Sequence, residues 1–239
     1  MFIVILIAYY IGLVIGAHKK ERWMRNWNEH QKVADQGDAE AQYKLGVMYE
    51  DAVKLRYNFM MFSREEIVEY PQKAAEWYRK AAGQGHVRAQ VHLGGMYRYG
   101  HGVPKDDSKA LEWFQKAADQ GDADAQNELG WMYRKGRCVF QNERKALEWF
   151  QKAADQGHVE AHENLAWMYR NGVGVAPDAR KATDRQEKAA DVGDASAWFE
   201  PGVMYETGRG VAKDERKAAE WYRKAAGQKN EEAQPHTQP

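Results

Sequence analysis

His158 and His162 stand four residues apart, with Glu163 beside the second. On one helix face two imidazoles at that spacing can share a metal ion. The HExxH arrangement is absent, however, and His158 falls where sister segments carry Asp122 and Asp194, so a helix-capping role competes with a ligand role. Gly172-Val173-Gly174 resembles a phosphate-binding turn, but no strand precedes it and no Gly-Lys-Ser/Thr follows, which leaves a tight connection between helices. Cys138 is the only cysteine, so no disulfide can form within the chain, and no histidine or carboxylate spacing marks an activated thiol. Trp131, Arg134, Trp167 and Arg170 are of another kind. Indole and guanidinium groups recur here at one spacing, and these are the side chains that dominate binding hot spots. The chemistry to expect is recognition of another macromolecule, with no catalytic residue, no metal and no cofactor.

The elements that position these residues are helical and repeat. Residues 116–121 and 152–157 both read Lys-Ala-Ala-Asp-Gln-Gly, with softer copies at 80–85, 188–193 and 32–37. Ala89, Ala125, Ala161, Ala197 and Ala233 lie 36 residues apart, and Ala41 lies 48 before Ala89, so the first unit carries a 12-residue insertion. A beat of this length is the mark of a stacked repeat array. Within one unit, Asp122 caps a first helix (helix A) with Ala125, Leu129, Met132 and Tyr133 at helical spacing. Asn142 caps a second (helix B), whose stripe is Ala146, Trp149, Phe150, Ala153 and Ala154, and Gly157 ends it. Trp77, Trp113, Trp149 and Trp221 keep the beat and are expected in the core.

The pattern Ala-Gln, Leu-Gly, Met-Tyr, Gly-x-Gly-Val, Asp, Lys-Ala, Trp, Lys-Ala-Ala, Gly resembles the Sel1-like repeat, a relative of the tetratricopeptide repeat. Its fullest copy runs Ala89-Gln90, Leu93-Gly94, Met96-Tyr97, Gly100-His101-Gly102-Val103, Asp106, Lys109-Ala110, Trp113. The resemblance implies an all-α fold: a right-handed α-solenoid of about five Sel1-like helical hairpins, preceded here by a single hydrophobic helix. It also implies adaptor or regulatory work, with a partner held in the concave groove of the array. The expected organisation is a transmembrane anchor at 1–18, a linker helix and N-terminal half-repeat cap at 19–37, and a repeat array at 38–229. The array divides as 38–85 with the insertion, 86–121, 122–157, 158–193 and 194–229, and a tail follows at 230–239.

Residues 2–17 carry no charge and are followed by His18, Lys19, Lys20, Arg22 and Arg25. As a helix they would span roughly 24 Å, against a hydrocarbon core of ~30 Å. A single-pass anchor in a bacterial inner membrane is expected, with the repeats cytoplasmic by the positive-inside rule and a periplasmic placement as the alternative. Ala8, Gly12 and Gly16 form a small-residue ridge through which two such spans could dimerise. Lys plus Arg and Asp plus Glu are 35 each, so the basic excess of a nucleic-acid binder is missing.

The expected partner-binding residues are Asn127, Trp131, Arg134, Glu163, Trp167, Arg170, Trp198 and Phe199, on the helix A face one position away from the buried set. Trp131 and Trp167 stand where other units have Val47, Gly95 and Val203, so the fold itself does not require Trp there. Five departures from the repeat individualise the chain. Ser63 and Glu66 predict a capped extra helix in the first insertion, with Pro71 in the first turn of the following helix B and an apolar tip at Phe59 to Phe62. Cys138 replaces the second loop glycine, so that loop is expected to differ. Arg185 and Gln186 replace the aromatic pair, Pro201 replaces a helix A leucine and should kink its helix, and Trp198 and Phe199 are expected to fill the vacated volume. Lastly, a sixth unit opens at Ala233 and is closed by Pro235. The leading function is a membrane-anchored scaffold that binds a protein partner. The alternative is an immunity or inhibitor protein that neutralises a secreted bacterial effector enzyme such as a lipase, since some such proteins resemble this layout of anchor plus repeats.

Overall fold

The computed structural model describes residues 24–59, 64–192 and 199–232, and among them the chain is entirely helices and their connections. Helix α1 covers residues 24–34. It is followed by α2 (Ala39–Phe59), α3 (Arg64–Gly83), α4 (Val87–Tyr99), α5 (Asp107–Asp119), α6 (Ala123–Lys135), α7 (Glu143–Ala154), α8 (Val159–Asn171), α9 (Ala179–Val192), α10 (Phe199–Thr207) and α11 (Glu215–Glu232). The fold class is all-α, of the repeat-solenoid kind, with successive A and B helices paired as hairpins. The chain divides into two compact units, Met1–Gln120 and Gly121–Pro239. The predicted membrane span at 2–17, its Ala8, Gly12 and Gly16 ridge, the tip residues Met60 to Phe62, Trp198 and the tail from Ala233 lie outside the described residues. Among those described, no helix is long and apolar enough to cross a membrane.

Local chemistry sets the helix ends. The Asp122 carboxylate accepts from the Ala125 N–H at 2.9 Å, and the Asn142 side-chain oxygen accepts from Lys145 at 3.0 Å. His86 and His158 do the same work: each Nδ1 accepts from a backbone N–H, of Ala89 and Ala161, at 3.2 Å. Gly100, Gly136 and Gly172 close their A helices in the left-handed conformation.

Four of the five hairpins are locked by a glycine on helix A against an aromatic ring on helix B. A Cβ on Gly94 would stand 2.8 Å from the Phe114 ring, one on Gly130 2.6 Å from Phe150, and one on Gly202 2.5 Å from Tyr222; Gly46 faces Tyr78 in the same way. Tyr78, Phe114 and Phe150 are accordingly buried. Of the tryptophans that precede these rings, Trp77 is buried as expected and the other three are not. Trp113, Trp149 and Trp221 are only half-buried, and a lysine three residues on lies over each indole, as Lys80 does over the buried Trp77. Adjacent residues on a helix point about 100° apart, so the second ring of each pair enters the hairpin core while the tryptophan lies toward its edge.

Hairpins within a unit are joined by glutamines. In the first unit Gln42 Nε2 donates to the Ala34 carbonyl at 3.1 Å and Gln90 Nε2 to the Ala82 carbonyl at 3.2 Å. Gln84 and Gln120 then donate to Gln42 and Gln90 at 2.8 Å. Helix α1 thus contacts α2 as a B helix contacts the next A helix. In the second unit His162 takes the glutamine slot. Its ring bonds the Ala154 backbone, and burial first, then Arg185 and Lys188, hold its pKa below the ordinary value.

Several expectations are corrected. The insertion forms no separate short helix: α2 and α3 are 21 and 20 residues long, against 13 for α4 and α5, so both arms of the hairpin are extended. Pro71 keeps the register of a first helical residue, but the helix already runs from Arg64. Cys138 does not alter its loop; it adopts φ 54° beside the 68°, 71° and 86° of Gly102, Gly174 and Gly210. In those three loops the glycine packs against the preceding B helix, at Pro71 within α3 and at the first residues Glu143 and Ala179 of α7 and α9. Phe199 does not fill the space of the missing aromatic pair, since it is 58% exposed and packs on Tyr222 of its own hairpin. The compensation is local: Ala166 replaces the helix A glycine opposite the buried Gln186. Pro201 is buried on α10. The residue four before it, Ala197, lies outside the described residues.

Candidate functional site

Helices α6, α8 and α10 place their outward-facing positions side by side in the second unit. Trp131 and Arg134 are one turn apart on α6, as Trp167 and Arg170 are on α8. The Arg134 guanidinium lies 3.8 Å from the Trp167 ring centroid and 4.7 Å from that of Trp131, so two indoles from consecutive A helices enclose one cation. Beneath, the Trp131 ring meets Phe150 edge to face at 6.2 Å, which ties the surface to the hairpin core. Trp131 Nε1 donates to Glu160 Oε1 at 3.1 Å, and the Lys135 ammonium stands 5.7 Å from the same ring. Partial burial holds the Arg134 pKa below its usual value, opposed by the charge of Glu143.

The expected residues therefore separate. Trp131, Arg134 and Trp167 form one cluster, and Trp167 is 40% exposed. Arg170 continues the face toward α10, bonding Glu200 at 3.3 Å, where Arg209 also arrives at 3.0 Å. Glu163 is exposed on α8, and Phe199 is exposed at the start of α10. Asn127 stands behind the surface instead: it is 3% exposed, and Asn164 Nδ2 donates to its Oδ1 at 3.3 Å. Tyr222 donates to Glu206 Oε2 at 2.6 Å, which pushes its hydroxyl up to about 12. The residues that sequence reasoning missed are Lys135, Glu160, Glu200 and Arg209. Glu160 and Glu200 each lie on the A helix after the residue they bond, so the repeat register carries the signal for them.

The groups that suggested chemistry are placed apart. His158 Nε2 faces Asp124 at 3.1 Å while its other nitrogen caps α8, and His162 is buried against Ala154. Among the described residues no three histidine, cysteine or acidic side chains converge as a metal site would need. The arrangement on α6 and α8 offers indole faces, a cation lying over them and hydrogen-bonding groups at the rim, residue types that are enriched at protein interfaces.

The Sel1 repeat family matches residues 39–54, 68–86, 87–122, 123–158, 159–184 and 201–230, well over half of the chain. Among curated proteins none matches. Of solved structures, c5321, a protective antigen present in uropathogenic Escherichia coli strains that displays an SLR fold, is 33% identical with a TM-score of 0.72, covering 84% of this chain and 41% of its own. This chain thus spans about two fifths of that protein's length. A Sel1 repeat protein from Oxalobacter formigenes is 27% identical with a TM-score of 0.70, covering 92% of this chain and 83% of its own. The immunity protein Pa5087 from Pseudomonas aeruginosa is 28% identical with a TM-score of 0.45, covering 66% and 59%.

Proposed function

The chain belongs to the Sel1 repeat family, and from that premise we propose that it is a membrane-held adaptor that takes a protein partner on the A-helix face of its second unit. Sel1 repeats are an interaction scaffold rather than a catalytic fold. The observation that carries the reading is Trp167, a large apolar side chain left 40% exposed in a slot that three of the other units fill with Val47, Gly95 and Val203. An indole in that position stabilises the hairpin little, and it offers a partner much area at low entropic cost. Trp131, Arg134, Glu163, Arg170 and Phe199 complete the surface, with Trp198 beside Phe199 in sequence.

Attachment to the membrane rests on the uncharged run at 2–17 and the basic residues after it, which favour a single span with the repeats on the cytoplasmic side. A reporter fused after Pro239 that is active only in the exported compartment reverses that orientation. For the partner, crosslinked capture from membranes is compared between the wild type and the Trp131→Ala, Trp167→Ala double variant. Capture falls at least tenfold while far-UV circular dichroism is unchanged. Undiminished capture overturns the surface. If the captured protein is a single enzyme, toxic without this chain and inhibited by it, the adaptor is an immunity protein.

A further inference from the structure

Polar pairs recur between successive A helices. On α2, Glu50 meets His92 of α4 at 3.2 Å. On α8, Arg170 meets Glu200 of α10 at 3.3 Å. In both pairs a charged side chain three residues after the outer slot of an A helix, held by Val47 or Trp167, faces a complementary group in the next. Arg134 occupies that position on α6, and the residue in register with His92 and Glu200 is Asn164. Asn164 carries no charge, and its Nδ2 is turned to Asn127 instead. Among the described residues the Arg134 guanidinium makes no hydrogen bond or ion pair; its two faces are covered by Trp131 and Trp167. Stacking fixes the plane of the guanidinium and leaves its N–H edge as the only direction for an acceptor. A planar fork held this way matches a carboxylate in bidentate geometry. It also loses little side-chain entropy on binding, because the stem is already ordered.

We infer that Arg134 is the receptor for a carboxylate of the protein partner, an aspartate or glutamate side chain that supplies the acid missing from this slot, flanked by apolar residues that lie on Trp167 and Phe199. This rests on the partner-binding reading above and gives the chemistry of the partner. Glu160 and Glu163 border the cluster, so a run of several acids would be repelled, and the surface suits one acid among apolar neighbours. The flanking contacts are set by the exposed rings of Trp167 and Phe199 on neighbouring A helices.

The test uses the full chain in detergent and a random nine-residue peptide library on phage. Enriched peptides carry an Asp or Glu next to Leu, Phe, Met or Trp. One such peptide and its Gln or Asn counterpart are then titrated, read by indole emission. The acidic peptide binds at least tenfold more tightly. Arg134→Met, which keeps an apolar stem between the indoles, removes that difference, and Arg134→Lys restores part of it; circular dichroism confirms that each variant is folded. An enriched set without acids, no enriched set at all, equal binding of the acid and amide peptides, or an acid preference that survives in Arg134→Met overturns the inference. If the double tryptophan variant loses the cellular partner while Arg134→Met captures it normally, the partner surface stands and the carboxylate receptor falls.

Discussion

Val47 and Trp131 hold the same slot of two A helices, one in each unit, and their surroundings have little in common. Around Val47 the polar and aromatic groups bond one another. Tyr43 stacks on His86 at 4.6 Å, Tyr78 stacks on His92 at 4.9 Å, and Glu50 accepts from the Tyr78 hydroxyl at 2.7 Å while it pairs with His92. Burial and the neighbouring Glu50 push the Tyr78 hydroxyl far above its ordinary pKa, so it stays a donor at every accessible pH. Around Trp131 the corresponding groups are an exposed indole, a stacked cation and an uncharged Asn164 that turns to Asn127. One scaffold therefore carries a face satisfied within itself and a face whose guanidinium makes no hydrogen bond or ion pair among the described residues. The repeat frame tolerates both because its stability comes from the glycine–ring lock beneath, not from the outer slots.

Removing that lock is the largest test. Phe150→Ala leaves a cavity under Trp131 and should destabilise the second unit by about 3–5 kcal/mol, seen by urea denaturation. A loss below 1 kcal/mol would mean that the open face is not built on the hairpin core. Next, the variant lock of α8 and α9 can be converted to the standard one. Gln186→Phe alone presses a ring on the Cβ of Ala166 and should cost about 1–3 kcal/mol, whereas adding Ala166→Gly should recover that loss; additive effects would refute the pairing.

In the first unit, Glu50→Ala leaves a buried tyrosine hydroxyl without its acceptor, and about 1–3 kcal/mol should be lost there. Trp167→Ala in the second unit should cost the fold only about 0.5–1 kcal/mol, and a loss as large as that of Glu50→Ala would make the open face structural. The smallest effect is a pH slope. His162 has a folded-state pKa below its unfolded one, so the unfolded chain binds more protons and stability falls as pH drops below about 6.5. His162→Gln, the residue of the sister slots, should flatten the slope in that window, although Asp155, Arg185 and Lys188 remain around it. An unaltered slope would assign it to other groups.

Much of the frame was legible in the residues. The caps at Asp122, Asn142 and His158 are hydrogen bonds between a side chain and an N–H three residues on, so they depend on nothing remote. The hairpin register followed from glycine and alanine spacing, because one contact geometry recurs in every unit. Sequence reasoning failed where the outcome depended on what stands opposite. The tryptophans before Phe114 and Phe150 kept the beat yet are partly at the surface, since a period does not say which of two adjacent rings faces inward. Phe199 was assigned to a vacancy that Ala166 had already narrowed. Cys138 was expected to remodel a loop that it leaves intact, because the cost of a positive φ, of order 1–2 kcal/mol, is within reach of the contacts that hold a loop.

The candidate site divides in the same way. Residue types and slots placed Trp131, Arg134 and Trp167 on one face of the A helices, since helical periodicity alone decides which positions look outward. Only the packing of α6 beside α8 put a single guanidinium between two indoles from different repeats, and only the register of the two helices set Asn164 where an acid would have neutralised it. Spacing along one helix is a local property of the backbone; an unpaired charge is a property of neighbours that are remote in the chain and meet only when the hairpins stack.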